Sequence, residues 1–263
     1  MSDGIFQDSD IIRRIGREGV LIAAGGAASI LQTSHPGVGQ GVYDHTYTFK
    51  DPLGRLQNTM EWLYVVQFGT RAEAERLSAI ITRIHRSVTG PGYAANDPEL
   101  QVWVGATLFD VALRLYQALF GRLSPAEVEE FYQQSRIYAQ ILNTPAELQP
   151  ATYEEFTKYF DRMVTTLEIT EASRRVAHQV LHPRVPRAQQ PGLWLVRLLT
   201  AGFMPAPLRA QYGWAWNARR ERQFVMVVNL LRIVYPRIPL ALRTLPREYC
   251  LRTFRAKSAK TRK

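Results

Sequence analysis

The sequence is poor in the residues that form covalent cross-links. Its 263 residues include a single cysteine, Cys250, so no disulfide can form within the chain. Such a protein suits a reducing compartment, and we expect it in the cytoplasm. Cys250 lies in the segment PREYCLRTF, which contains no histidine, and a thiolate nucleophile needs a base and an electropositive pocket. We therefore expect no catalytic cysteine.

The sequence also lacks an apolar run long enough to cross a lipid bilayer. A membrane-spanning helix needs about 20 apolar residues, whereas the most apolar early segment, VLIAAGGAASIL, occupies only residues 20–31. The opening segment MSDGIFQDSD is acidic and polar, unlike a secretory signal. We expect residues 20–31 to form a buried helix, and we expect neither a signal peptide nor a membrane-spanning helix.

Sequence motifs of several large enzyme classes are missing as well. The chain contains no GxxxxGK[ST] phosphate loop, no GxGxxG dinucleotide fingerprint and no GxSxG nucleophile elbow. It lacks the paired Glu-x-x-His pattern of di-iron helical bundles, and one cysteine cannot build a cysteine-based zinc site. No recognisable nucleic-acid-binding module accompanies the basic residues, so we expect no nucleic-acid partner.

Acidic residues are scarce in the last third of the chain. The formal net charge is +10, but residues 184–263 carry 17 lysines and arginines against only two acidic residues, Glu221 and Glu248. Such asymmetry indicates an anionic partner, for example a membrane surface or the carboxylates of a cofactor. The alternative is a solvated basic surface that ends in a disordered tail. We assign residues 252–263, RTFRAKSAKTRK, to such a tail and residues 1–251 to one domain.

The residues that are present predict a single globular all-α domain of seven to ten helices. Hydrophobic residues make up 46% of the chain, enough for a large core, and no segment alternates apolar and polar residues over the length of a strand. Asp-Pro pairs and capping boxes, such as the one formed by Ser124 and Glu127, mark helix starts. The predicted helices are residues 8–33, 52–68, 70–88, 98–120, 125–142, 153–167, 170–181, 191–201, 218–235 and 239–246, with a glycine-rich loop at 37–51.

Two of these helices, within residues 55–90, carry the main candidate site. The first helix has Arg55 one turn before Thr59, and the second has His85 on an otherwise apolar face. A lone histidine on such a face is more often a hydrogen-bonded core residue than a metal ligand. The small residues 25–28 of the first predicted helix suggest close approach by another helix or by a flat ligand. We interpret the helix pair as the clamp of a cofactor that His85 anchors.

The other histidines offer further candidates. His178 and His182 are four residues apart, a spacing that can place two imidazoles on one metal. They also precede Pro183 at a helix end, where the helix dipole favours histidine without any metal. His45 adjoins Asp44 in the glycine-rich loop. It is a candidate base or partner of a cofactor carboxylate, and hydrogen bonding within the loop is the alternative.

Taken together, several segments resemble a known protein family. The chain resembles the bacterial latex clearing protein (rubber oxygenase) and MpaB-type oxygenase family through nearly its whole length. The order and spacing of the matching segments carry the resemblance, because no single segment is decisive. These segments are GREGVLIAAGGAASILQTSHPGVGQGVYDH, FKDPLGRLQNT, RIHRSVTG, YAANDPELQVWVGATLFD and MPAPLRAQYGWAW.

The resemblance implies an all-α fold, a haem b cofactor and O₂-dependent oxidation, which in characterised members includes cleavage of carbon–carbon double bonds in isoprenoid chains. Arg55 and Thr59 match the family's Arg-x-x-x-Thr pair, and His85 matches the histidine that ligates the haem iron. By this resemblance Arg55 holds a haem carboxylate or the local fold, and Thr59 hydrogen-bonds near His85. The rubber-cleaving enzyme has a lysine before that threonine that caps the far face of the iron. Asn58 takes its place here, so we expect that face to be open.

Two further departures from the family concern the reaction itself. The catalytic glutamate of the rubber-cleaving enzyme has no match, since the loop before Arg55 offers only Asp44 and Asp51. Many relatives also have a histidine at the position that Gly105 occupies in this chain. These two differences concern the rubber-like reaction rather than the haem site.

The sequence thus predicts a haem b-dependent oxygenase or oxidase that acts with O₂ on a lipophilic small molecule, with isoprenoids as the candidate class. Its axial iron ligand is expected to be His85, while the catalytic base, the substrate and the oligomeric state stay open. One alternative is a non-catalytic haem- or lipid-binding protein that is peripheral to a membrane through its basic third. Another is a non-haem metalloenzyme that uses His178 and His182. The expected cofactor-binding residues are His85, Arg55, Thr59, Asn58 and His45.

Overall fold

The computed structural model describes residues 3–45, 52–183 and 190–260. These residues form an all-α domain, as predicted, whose only strands are the two-residue pair β1 (Thr89–Gly90) and β2 (Tyr93–Ala94) within the described ranges. No described helix is both long and apolar enough to cross a membrane. The α-helices are α1 (Ile11–Gly16), α2 (Gly25–Ser34), α3 (Pro36–Asp44), α4 (Pro52–Phe68), α5 (Arg71–His85), α6 (Pro98–Phe120), α7 (Pro125–Ser135), α8 (Ile137–Gln140), α9 (Tyr153–Thr166), α10 (Glu171–Leu181), α11 (Gln190–Phe203), α12 (Ala206–Gln211), α13 (Ala218–Val234), α14 (Leu240–Arg243) and α15 (Leu245–Lys260).

The long helix α6 is the centre of the fold, and its predicted bounds are confirmed. The side chain of Asp97 accepts a hydrogen bond from the Glu99 amide (2.9 Å), and the helix ends at Gly121, whose φ of 97° is accessible to glycine. Helices α2, α7, α8 and α13 pack around α6. Trp103 is fully buried between them, and its Nε1 donates to the carbonyl oxygen of Leu31 (3.1 Å).

The first predicted helix, residues 8–33, is wrong as a single element. The chain forms α1, then a 3-10 turn (Gly19–Ala24), then α2. The break lies beside Glu18, which is almost fully buried and accepts from Arg243 Nη1 at 2.9 Å. Because a buried carboxylate needs a partner, this contact from the far end of the chain favours the interruption. Gly16 and Gly19, which flank the break, are a local signal for it that the prediction did not use.

The glycine-rich loop predicted at residues 37–51 is also wrong where the structure describes it. Residues 36–44 form α3, which begins with His35 as its N-cap, the Nδ1 accepting from the Gly37 amide at 3.2 Å. A Cβ on Gly39 would lie 2.4 Å from Ser173 Oγ, so this glycine permits close packing of α3 on α10 rather than a flexible loop. Residues 46–51 lie outside the described part of the chain.

The two helices α4 and α5 are the two adjacent helices that the sequence predicts, and the structure packs them as an antiparallel pair. Thr70 and Glu73 make a capping box at the start of α5, whereas the predicted cap Asp51 lies outside the described residues. The Nε1 of Trp62 donates to Ser78 Oγ at 2.9 Å. In an antiparallel pair this contact sets Arg55 of α4 opposite His85 of α5.

The C-terminal assignment of residues 252–263 to a disordered tail is wrong as far as the structure extends. Helix α15 continues to Lys260 and buries Phe254. Arg255 pairs with Glu73 (2.9 Å) and Lys257 with Glu61 (2.9 Å). The basic composition suggested disorder, but these cations meet carboxylates of α4 and α5. The described residues form more helices than the seven to ten predicted. The additional helices are α12, α15 and the pieces into which the structure divides predicted helices.

Candidate functional site

A cavity of about 490 Å³ lies between α1, the 3-10 turn at Gly19–Ala24, α2, α4, α6 and α11. Helix α4 presents one face to it, because Arg55, Thr59, Leu63 and Gln67 follow one another at intervals of four residues. The volume falls within the range of cofactor and small-molecule sites. The cavity is therefore the candidate binding site of the protein.

Small and aliphatic side chains make up most of the remaining walls. Helix α2 contributes Gly25, Gly26 and Ala28, and α6 contributes Leu108 and Ala112 among others. A Cβ on Gly25 would lie 2.8 Å from a methyl of the neighbouring helix α4, and one on Gly26 would lie 2.4 Å from a hydroxyl of α11. The glycines thus let helices approach closely, which was one of the two predicted reasons for them, and they also border the cavity.

One positive charge stands in this apolar cavity. Among the described residues that line it, Arg55 is the only charged one, and no carboxylate faces it there. Its Nη1 is buried without a hydrogen-bond partner among the described residues, and burial lowers the pKa of its guanidinium. A buried cation without a partner is costly. The cavity is consequently suited to a ligand that brings a carboxylate or another anion to Arg55.

His85 stands beside Arg55 at the C-terminal end of α5. Its Nδ1 is buried and has no hydrogen-bond partner in the described part of the chain. Burial lowers the pKa of His85, and the nearby positive charge of Arg55 lowers that pKa further. The imidazole is therefore neutral at pH 7, the form in which histidine ligates metals. His85 itself is not among the described residues that line the cavity, whereas Arg55 both lines the cavity and acts on His85.

Two predicted site residues on α4 have different surroundings. Thr59 lines the cavity, and its Oγ1 donates to the backbone carbonyl oxygen of Arg55 at 3.0 Å. That hydroxyl therefore steadies the helix turn that carries Arg55. Asn58 is exposed and is not among the described residues that line the cavity. The structure thus places Thr59 next to Arg55 at the cavity and His85 beside Arg55, and it leaves Asn58 at the surface of α4.

His45 belongs to a separate hydrogen-bonded cluster. Its Nε2 lies 3.2 Å from the Thr89 carbonyl oxygen and 3.1 Å from the hydroxyl of Tyr93, which donates to Asp44 Oδ2 at 2.8 Å. His45 is exposed and absent from the described cavity lining. These contacts link the end of α3 to the β1–β2 turn. They agree with the alternative prediction, in which His45 makes local hydrogen bonds.

The remaining candidates do not assemble into a site. The rings of His178 and His182 stack at 4.4 Å, and His182 Nδ1 lies 2.9 Å from the His178 carbonyl oxygen. Within the described residues no group of three histidine, cysteine, aspartate or glutamate side chains could hold a metal ion. Cys250 is buried, and burial raises the pKa of its thiol.

Three polar residues that the sequence did not single out form the far end of the cavity. Gln67 Nε2 donates to the Tyr138 hydroxyl at 2.8 Å, while Gln67 Oε1 and the Tyr64 hydroxyl are buried and have no partner among the residues that the structure describes. Burial raises the pKa of both tyrosines, so they stay protonated at neutral pH. Continuing the four-residue spacing from Arg55 and Thr59 along α4 leads to Gln67. Nothing local points to Tyr138.

Comparison with known proteins agrees with this description. The family model of the catalytic domain described as "ER-bound oxygenase mpaB/B'/Rubber oxygenase" matches residues 12–233. Two uncharacterised proteins, one of Mycobacterium tuberculosis and one of Mycobacterium bovis, are each 29% identical to the chain over 223 residues, covering 80% of this chain and 87% of the relative. No solved structure matches. Because the family model spans most of the chain, from α1 to α13, the protein belongs to the mpaB and rubber oxygenase family of oxygenases.

Proposed function

We propose that the protein is a haem b-dependent oxygenase that uses O₂ to oxidise a lipophilic small molecule, with isoprenoids as the candidate substrate class. In this proposal His85 is the axial iron ligand and Arg55 holds a haem carboxylate. The proposal is carried by two buried nitrogen atoms that have no hydrogen-bond partner among the described residues: Arg55 Nη1 on the wall of the apolar cavity, and His85 Nδ1 beside Arg55 but outside the cavity lining. Membership of an oxygenase family gives that pair its interpretation.

The residues present fit such a group. Haem consists of an iron ion, which binds an imidazole nitrogen, within a large apolar ring that carries two carboxylates. The site offers a neutral imidazole, a cavity of about 490 Å³ with largely apolar walls, and one cation that faces no carboxylate among the described lining residues. A metal-ligating histidine binds the metal through one ring nitrogen and usually donates a hydrogen bond from the other. Binding of haem would therefore give the unpartnered Nδ1 of His85 one of these two functions.

The chemistry of the bound haem would be the activation of O₂, and the chain supplies the surroundings. The guanidinium of Arg55 orients a carboxylate and neutralises its charge in a dry environment. Thr59 holds the backbone turn beneath Arg55 through its 3.0 Å hydrogen bond. Aliphatic walls such as Leu108 and Ala112 exclude water and align an apolar substrate. Asn58 is exposed and uncharged, so the residue at this position would not supply a cation to the haem iron.

Visible absorption and oxygen uptake test the proposal together. The full chain, produced with added haem precursor, is expected to show a haem absorption band and to consume O₂ when a long-chain isoprenoid alkene is supplied. Protein that stays colourless when haem is added contradicts the proposal. A haem band without oxygen uptake on any lipophilic alkene would favour the non-catalytic haem-binding alternative.

A further inference from the structure

The exposed apolar side chains of this protein are concentrated near its C-terminus. Of the 15 large hydrophobic residues that are exposed in the described chain, nine lie between Val225 and Tyr249. Monomeric proteins rarely leave so many neighbouring apolar side chains in water, and such patches commonly mark an interaction surface. The nine residues, which we call the C-terminal apolar surface, are Val225, Met226, Leu230, Ile233, Val234, Leu240, Leu242, Leu245 and Tyr249.

Helix α13 shows how this surface is built. Its inner side packs Phe224, Val228 and Leu231 against the core, yet none of its residues is fully buried. Its outer side carries Met226 (63% exposed) and Ile233 (56% exposed) in the middle. A helix that is apolar on both sides is normally covered on both, so the outer side of α13 requires an occupant.

Positive charge surrounds the apolar residues of α13. Arg219 and Arg222 precede them on the same outer helix face, and Arg232 and Arg237 flank the other end. All four are exposed, and the chain from residue 184 onward has 17 basic and two acidic residues. An apolar band bordered by arginine is the pattern of a helix that lies in the plane of an anionic lipid surface.

A second copy of the chain fits this surface less well. The commonest dimers are twofold symmetric and place a surface against itself. Here that arrangement would bring arginines against arginines. The two acidic residues of the region are already engaged, Glu221 with Trp216 and Glu248 with Arg247. The charge therefore selects an anionic partner over another copy.

We propose that the C-terminal apolar surface docks the protein onto membranes that contain anionic lipids, with the outer face of α13 in the head-group region. This surface is connected to the cavity through helix α11. Phe203 of α11 contacts Phe224 of α13, with ring centroids 5.3 Å apart. Val196 of α11 lines the cavity and is also exposed. Docking would bring this cavity wall close to the compartment in which lipophilic molecules dissolve.

Vesicle flotation of the full chain tests the docking independently of any cofactor or activity. The protein is expected to float with vesicles of phosphatidylcholine and one third phosphatidylglycerol, less with phosphatidylcholine alone, and less at high salt. Replacing Met226, Leu230 and Ile233 with serine should reduce partitioning at least tenfold, because it removes most of the apolar contact. Replacing Ile80 and Leu148, which are exposed elsewhere on the protein (43% and 49%), with serine should leave partitioning unchanged.

Charge variants test the second half of the proposal. Arg219→Gln with Arg222→Gln should weaken binding to the anionic vesicles by about 30-fold, since each arginine near such a surface contributes about 1 kcal/mol. Arg71→Gln with Arg122→Gln, also exposed, is the matched control and should bind normally. Failure of the wild type to float, or equal flotation of both pairs, overturns the proposal. A lipid-free dimer that the serine variant dissociates would instead assign the surface to a second copy.

Discussion

Replacing Arg55 with methionine should stabilise the ligand-free protein and weaken its affinity for haem. Arg55 Nη1 is buried and has no partner within the described ranges, and a charged donor left unsatisfied in this way costs about 1–3 kcal/mol. Methionine has a similar length and helix propensity, so Arg55→Met should raise the free energy of unfolding by about that amount. In a chain of this size the melting temperature should rise by about 2–4 °C per kcal/mol.

The same substitution should act oppositely on cofactor binding. A hydrogen bond from a charged donor to a carboxylate contributes about 1.5–3 kcal/mol, so the dissociation constant for haem should rise by about 10- to 150-fold. Urea denaturation of haem-free protein and titration of its absorption with haem measure the two effects. Arg122→Met, at an exposed site, is the control and should change stability by less than about 0.5 kcal/mol. A destabilised Arg55→Met with unchanged haem affinity would refute the reasoning.

Three other predictions address packing, titration and the C-terminal helix. Ala112→Leu should fill part of the cavity, raise stability by about 2 kcal/mol and abolish oxygen uptake; a loss of stability would mean that the cavity is not there. The pKa values of His35 and His85 are both lowered in the folded state, so the unfolded chain binds their protons first and stability should fall as the pH drops below about 6.5, by at most about 1.4 kcal/mol per pH unit for each histidine. The slope of urea-measured stability against pH should be shallower in His85→Gln, and an unchanged slope would contradict the assignment. Phe254→Ala should lower the free energy of unfolding, measured by urea denaturation, by about 3–5 kcal/mol. An unchanged free energy would instead support the prediction that residues 252–260 form a disordered tail.

The helices could be predicted wherever their signals are local. Thr70, Ser124 and Thr152 cap their helices as predicted, since the capping side chains and their partners lie within three residues. The break near Glu18 and the continuation of α15 depend instead on ion pairs between residues far apart in sequence, such as Glu18 with Arg243. Such contacts leave no mark in a window of neighbouring residues.

The candidate site was predictable in part for a similar reason. Arg55 and Thr59 lie one turn apart, and their spacing predicts a shared face, which the structure confirms at the cavity. The proximity of His85 to Arg55 depends on the antiparallel packing of α4 and α5. The sequence predicts these helices as neighbours along the chain but does not predict their packing. The apolar cavity itself is assembled from helices across the whole chain, so neither its volume nor its lack of a carboxylate among the described lining residues could be deduced from sequence.

The most direct test of the central claim compares two histidine variants. Full-length protein, His85→Ala and His178→Ala, the last at an exposed position away from the cavity, are each titrated with haem while the Soret absorption is recorded. Our account predicts a histidine-ligated spectrum for the wild type and for His178→Ala. For His85→Ala it predicts weakened binding with a shifted band. Identical spectra and affinities in all three proteins would contradict the assignment of His85 as the iron ligand.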